Sequence, residues 1–542
     1  MKNTILSLFF NLFMFISMTP CTAMMSPPNL VTEKQNTSPN YWCTWYWQNY
    51  MIKAGKPVTN PSVSKVYTNE AAREQMNYEN ILGKNGWARV MLPKSRNEYY
   101  FLIDHGWQDK SIKENTFFSF IMDKNDFPQY ADLDPKNRIK KLNEEIKALG
   151  WRGLGLWVRG TPTEEEAVKF VQWSKYAGIE YWKIDGGDTK DFRSFKAKNE
   201  WYPELVLEYV TGSGGPLNSN WDKPDLKHYP SVYYPGVKQV KNANEGPGIA
   251  SRFLEVLKNS DVFRTYDAVP LLVSTVTLQR INDILSQTAG HPEYISYLNI
   301  QDDCNIAAAL GCLVAVKRHP MQTPRMYEER DFHFQIAGDR HVDKRSNEMD
   351  RLARWQRIAP PMPSGYGTYR FSENILIDQF KFRVGDTWKD DTWGKLVTQG
   401  APAVMARNIP LPEVQCNGEQ PYVLASKFPN GAVCIATEGR VSQIKSWYHP
   451  KADIVLQVGS YDPVIGIFGY YSSLTLQFDN PLPENAVIWA QDLLAKQAIN
   501  ISKSVKIIND KLVIPGEIIE KIGTSENDEG DISVPGIVLK IE

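Results

Sequence analysis

Between residues 134 and 185 the apolar positions switch between a spacing of three to four and a spacing of two. The first spacing predicts helices and the second predicts strands. Ile139, Leu142, Ile146 and Leu149 follow Asp134 and Pro135 and precede Gly150, which gives one amphipathic helix with an N-cap, a proline at its first position and a terminating glycine. Thr161-Pro162-Thr163-Glu164 predicts the start of the next helix, as a capping box with proline in its first turn. Ala167, Phe170, Val171 and Ser174 carry its apolar face toward Gly178. A short strand follows each helix, at 153–158 and 180–185.

Carried along the chain, the alternation places further strands near 42–46, 99–104, 204–209, 261–266, 295–300 and 312–316. With the first two this makes the eight that a closed parallel barrel requires, so the expected fold is α/β, a (β/α)8 TIM barrel over residues 24–365. The stretch 212–247, rich in Gly, Pro and Asn, is a long connection on the side where active-site loops belong, and is expected to be a lid or a specificity loop. After about residue 365 the pattern becomes short alternating runs: Tyr422 to Lys427, a Pro429-Asn430-Gly431 turn, Ala432 to Ala436, and the set Leu474, Leu476 and Phe478. Val487-Ile488-Trp489 and 511–519 read as further strands. A C-terminal antiparallel β-sandwich over 366–542 follows.

With 542 residues the chain has room for both units, and its net charge of −1 argues against a nucleic-acid partner. The 16 tryptophans and 26 tyrosines exceed what core packing usually needs. Flat aromatic faces stack on sugar rings, so an oligosaccharide or polysaccharide is the expected substrate; the competing assignment of these rings is to the core. Seven scattered histidines and no Cys/His spacing of a zinc site imply no metal, and no cofactor is called for.

Lys2, an apolar run from Ile5 to Met18 and the small residues Thr22-Ala23 predict a signal peptide over residues 1–23 and hence export, to a periplasm or outside the cell. Cys21 is where a lipoprotein would be acylated, but Pro20 before it fits that pattern poorly, and a lipid-anchored surface form is the secondary expectation. No later apolar run is long enough to cross a bilayer. Cys43, Cys304, Cys312, Cys416 and Cys434 remain, an odd number too sparse for a disulfide-built scaffold, and at least one thiol is expected to stay unpaired.

The candidate chemistry lies at the end of the fourth predicted strand. Glu180-Tyr181-Trp182-Lys183-Ile184-Asp185 runs into Gly186-Gly187, and a Lys-x-Asp spacing puts both charged groups on one face of a strand whose end faces the barrel mouth. Asp185 is then either a working carboxylate held ionised by Lys183 or half of a structural salt bridge. Glu208, at the end of the fifth strand, is expected in the mouth as a substrate acceptor or as the partner of a nearby base. Trp45 and Trp157 are the choices for the pocket wall, and Asp302-Asp303 is either a polar contact or a helix N-cap.

Lys183-Ile184-Asp185 and Asp261-Val262-Phe263-Arg264-Thr265-Tyr266-Asp267 resemble the two catalytic segments of the retaining α-galactosidases, the melibiase-type barrel enzymes. Ile103-Asp104-His105-Gly106-Trp107 is similar to that family's second strand and Gly153 to Val158 to its third. Tyr41 to Trp47 resembles its first, and Glu208 with Gly212-Ser213-Gly214-Gly215 its fifth, so the ordered series spans residues 40–320. The resemblance implies Asp185 as nucleophile and Asp267 as general acid/base, with Lys183, Arg264 and Asp104 contacting the sugar. In such chemistry one carboxylate attacks the anomeric carbon while the other carboxyl protonates the leaving oxygen. The two aspartates stand 82 residues apart, longer than the family pattern, and the 212–247 connection accounts for the excess. His105 departs from the pattern, since the family has a second acid there. That leaves a modified galactoside, an N-acetylgalactosaminide or a β-L-arabinopyranoside open beside an α-galactoside, as well as transglycosylation or a non-catalytic glycan-binding barrel.

Overall fold

The computed structural model describes residues 26–45, 47–48, 73–109, 120–159, 163–185, 195–198, 200–210, 249–265, 273–300, 303–315, 345–381, 396–442, 446–483 and 485–542. The predicted signal segment with Cys21, the 212–247 connection, Asp302 and Asp267 lie outside them.

Eight strands form one sheet in chain order: β1 (Tyr41–Cys43), β2 (Tyr100–Ile103), β3 (Gly153–Arg159), β4 (Tyr181–Asp185), β5 (Val206–Val210), β6 (Val262–Arg264), β7 (Tyr297–Ile300) and β8 (Leu313–Val314). Each pairs in parallel with the next, at the eight places the apolar pattern predicts. The sheet curls until its ends approach. At the seam the Val314 amide donates to Asn40 Oδ1 at 3.0 Å, while Gln356 accepts from Asn40 Nδ2 at 2.6 Å and donates to the Cys312 carbonyl at 3.1 Å. The result is a nearly closed parallel barrel.

Helices pack outside it. Pro135–Ala148 starts as predicted, with Asp134 Oδ1 accepting from the Asn137 amide at 3.1 Å. Glu164–Ala177 starts two residues later than the Thr161 box would set it. Thr163 and Glu166 form the reciprocal pair, at 3.3 and 2.8 Å. The same Thr-x-x-Glu pattern occurs in both registers, and proline is tolerated in either, so the local pattern does not choose between them. Gly178 ends this helix at φ 66°, a conformation that favours glycine. Ile249–Asn259, Val273–Thr288 and Cys304–Leu310 lie between the later strands.

Among the described residues the C-terminal part has two large sheets, of eight and five strands, over a shared apolar core, with Val423, Ile435, Ile467 and Leu539 on one side and Ile454, Leu456, Leu474 and Leu476 on the other, and two further two-stranded sheets. The predicted hairpin is present, with Tyr422–Lys427 antiparallel to Val433–Glu438. The expectation of a purely antiparallel sandwich is corrected: three neighbouring pairs are parallel, Val404–Arg407 with Tyr422–Lys427, Val433–Glu438 with Ile465–Phe468, and Asp453–Gly459 with Ser473–Phe478. The last two arise because the chain alternates between the sheets from Val433 to Phe478, so that successive visits to one sheet run the same way. The strand expected over 511–519 ends at Pro515, and Gly516–Gly523 is a helix whose Ile519 and Ile522 are buried at helical spacing.

The helix Ser346–Ile358 joins the two parts. Trp355 donates to the Ala308 carbonyl at 3.2 Å and meets Phe428 and Phe468 edge-on, at 5.8 and 6.1 Å. Arg351 forms a bidentate pair with Asp492, at 3.0 and 2.7 Å. The five cysteines from Cys43 to Cys434 are free thiols. Among the described residues no helix is long and apolar enough to cross a membrane.

Candidate active site

Strand alternation sends every second side chain of β1 to β7 into the barrel. The rings of Tyr41, Tyr100 and Tyr181 meet there, with Tyr181 at 5.2 Å from Tyr41 and 5.4 Å from Tyr100. Gly155, opposite Tyr181 in the β3–β4 register, lies close against Leu102 of β2, and a Cβ there would press on that side chain at 3.3 Å. Outward residues join the surrounding core instead, as Trp42 does by stacking on Phe101 at 5.3 Å.

Glu208 stands among these rings. It is fully buried and accepts from Tyr41 Oη and Tyr181 Oη at 3.1 Å each and from Asn299 Nδ2 at 3.2 Å, so side chains of β1, β4 and β7 converge on one carboxyl of β5. Burial pushes its pKa up to about 7, against the nearby charges of Arg264 and Lys183 and the two phenol bonds. The sequence places Glu208 in the mouth; in the structure it lies in the barrel interior.

Lys183 and Asp104 form a buried ion pair, Nζ to Oδ2 at 2.5 Å. The Cys43 thiol donates to the same oxygen at 3.1 Å, the His105 amide donates to Oδ1 at 2.8 Å, and the Asp104 amide donates to Thr44 Oγ1 at 2.9 Å. Burial alone would raise the Asp104 pKa, but the Lys183 charge and the bonds from Lys183, the His105 amide and Cys43 outweigh it and hold the carboxyl below its usual value.

Asp185, half-buried at the end of β4, accepts from Trp157 Nε1 at Oδ2, 3.2 Å away. Its pKa is raised, first by burial, against the opposing charge of Lys183 and the indole bond. This corrects the expectation that Lys183 keeps Asp185 low: the ammonium pairs with Asp104, 79 residues earlier in the chain, and reaches Asp185 only as a weaker field.

The structure brings Asp104, His105, Trp157, Lys183 and Asp185 together. His105 stacks on Trp157 with ring centroids 4.4 Å apart, and burial together with the Arg73 charge pushes its pKa down to about 4, which leaves a neutral imidazole. Arg264 is buried and its charge bears on both Glu208 and Asp185. Trp45 follows β1 and is half-buried, with its amide directed at the Cys43 sulfur. Asp303 takes the N-cap position of Cys304–Leu310 without a side-chain cap bond, and accepts from Ser274 Oγ at 3.1 Å. Sequence reasoning missed Tyr41, Cys43, Tyr181 and Asn299. The signal for three of them was the period of two: Tyr41 and Cys43 alternate with Trp42, and Tyr181 shares a face with Lys183 and Asp185.

No protein-family model matches the chain, and no curated protein matches it. Among solved structures it is similar to a β-arabinopyranosidase at 12% identity and a TM-score of 0.29, covering 96% of this chain and 58% of that one. It is also similar to the carboxyl transferase domain of Rhizobium etli pyruvate carboxylase, at 13% identity, TM-score 0.26 and coverage of 61% and 52%. A third likeness is to the catalytic domain of GH30 xylanase C from Talaromyces cellulolyticus, at 8% identity, TM-score 0.23 and coverage of 95% and 98%. The chain thus spans less than two thirds of the length of the first two, and the similarity to all three is too low to assign a shared activity.

Proposed function

We propose that this chain is an exo-acting retaining glycoside hydrolase of the α-galactosidase kind, on a (β/α)8 barrel, that removes a terminal α-galactoside or related sugar through a covalent glycosyl-enzyme. The reading is supported by one grouping at the ends of β2, β3 and β4: a half-buried Asp185 held by the Trp157 indole beside the buried Asp104–Lys183 pair. An aromatic face, paired charges and an accessible carboxylate suit a polyhydroxylated ring. In this reading Asp185 attacks the anomeric carbon. Asp267, outside the described residues, protonates the leaving oxygen and then deprotonates water. Lys183, Arg264, Asp104 and His105 contact the sugar. The neutral, stacked His105 favours a second choice of sugar, because the resembled family has an acid there; a β-L-arabinopyranoside and an α-N-acetylgalactosaminide belong beside the galactoside. Export and a division into two domains at residues 365/366 are part of the same proposal.

The test is a screen of purified protein on the three nitrophenyl glycosides, with the anomeric configuration of the first-formed product read by NMR. Turnover with retention is expected on one of them. Asp185→Ala should abolish it without lowering the melting temperature, and Asp267→Ala should keep part of the activity on activated aryl glycosides and be rescued by azide. Inversion, or full activity of Asp185→Ala, rejects the reading.

A further inference from the structure

Trp157 is fixed more firmly than a pocket wall needs. Its backbone carbonyl accepts from Trp107 Nε1 at 3.1 Å and Gln108 Nε2 at 3.4 Å, and its ring lies against His105 with the two planes 24° apart. His105 is anchored in turn, its carbonyl accepting from Gln48 Nε2 at 2.9 Å and its amide donating to Asp104 Oδ1 at 2.8 Å. The indole N–H ends this chain of contacts on Asp185 Oδ2, at 3.2 Å. Among the described residues Trp157 is the donor to Asp185, and no donor reaches Oδ1.

We propose that Trp157 is the positioning residue of the nucleophile, its indole holding Oδ2 so that Oδ1 is the oxygen that attacks. This rests on the glycosidase reading above. In the first step an Oδ1 lone pair forms the ester bond to the anomeric carbon as the glycosidic C–O bond breaks. That bond's electron pair leaves with the aglycone oxygen, which takes the proton of the acid group. Water then attacks the same carbon and gives its proton to that group, and the ester electrons return to Oδ1. Oδ2 is the ester carbonyl between the two steps, and the indole N–H stays on it throughout. A donor on the spectator oxygen stops rotation of the carboxylate and favours its charged form. Burial works the other way on Asp185, as does Asp104, while Lys183 and Arg264 act with the indole.

Trp157→Phe keeps the stacked ring and removes the N–H. Losing a hydrogen bond to a charged group should lower kcat about tenfold to a hundredfold, and KM should change little because the ring still meets the sugar. The acid limb of kcat/KM should move to higher pH. His105→Leu, which keeps the indole but frees its ring, should move both in the same direction by less, and serves as the readout where Trp157→Phe does not fold. A 2-deoxy-2-fluoro glycosyl fluoride of the sugar that is turned over, followed by peptide mass spectrometry, separates the two levels of the reading. Label on a residue other than Asp185 in the wild type overturns the nucleophile and the proposal together. Label on Asp185 in the wild type, with labelling rate and acid limb unchanged in both variants, overturns only the positioning role.

Discussion

Folding carries the Glu208 carboxyl from water into a barrel interior where two phenols and an amide bond it, and its pKa rises from 4.5 to about 7. The protonated form is the one that folding favours. Its contribution is therefore complete below the unfolded pKa and is lost as pH rises through about 7, a change of about 3 kcal/mol. Glu208→Gln copies the protonated group. The variant should match the wild type in urea midpoint near pH 4 and exceed it at pH 8, and a difference independent of pH would show that burial does not set this carboxyl. Residue types were legible in the sequence here, but not their pairing. The Lys-x-Asp spacing puts Lys183 and Asp185 on one face, whereas the partner that Lys183 takes, Asp104, follows β2 and is brought to it by the β2–β3–β4 register.

Elements announce themselves when one periodicity dominates between two clear stops, and the helices behind Asp134 and before Gly178 are of that kind. The cap register of the second helix is subtler, because two overlapping Thr-x-x-Glu boxes precede it. The pairing of Thr163 with Glu166 predicts that Thr163→Ala destabilises the protein by about 1 kcal/mol in chemical denaturation. Thr161→Ala is the control, and a larger loss there would move the cap back to the earlier box. Strands of the barrel were legible as short runs rich in apolar and aromatic residues, even where Lys183 and Glu208 interrupt them. The parallel pairs of the sandwich were not. They follow from the order in which the chain visits two sheets, and no local pattern in Val433–Glu438 or Ile465–Phe468 encodes which strand lies beside it.

At the scale of the molecule the question is whether barrel and sandwich unfold together. The helix Ser346–Ile358 belongs to both: Trp355 bonds the Ala308 carbonyl on the barrel side and packs on Phe428 and Phe468 on the other, and Arg351 pairs with Asp492 in the sandwich. A second tie runs through residues 30–38, where the Leu30 amide donates to Gln491 at 2.7 Å and Arg152 donates to the carbonyls of Thr37 and Ser38 at 2.9 Å each. One continuous apolar cluster includes Leu352 and Trp355 with Phe428, Phe468 and Val538. Separating the two parts would expose that cluster and strand a buried guanidinium. The wild type should therefore melt in one calorimetric transition, coincident with loss of activity. Asp492→Ala leaves Arg351 buried without its counter-charge and should cost about 3–5 kcal/mol, whereas the double change Arg351→Met with Asp492→Leu removes both charges and should recover most of that loss. Two resolved transitions in the wild type would mean that the shared helix does not couple the cores. A double variant no more stable than Asp492→Ala alone would mean that the pair holds the interface by its geometry rather than by balancing a buried charge.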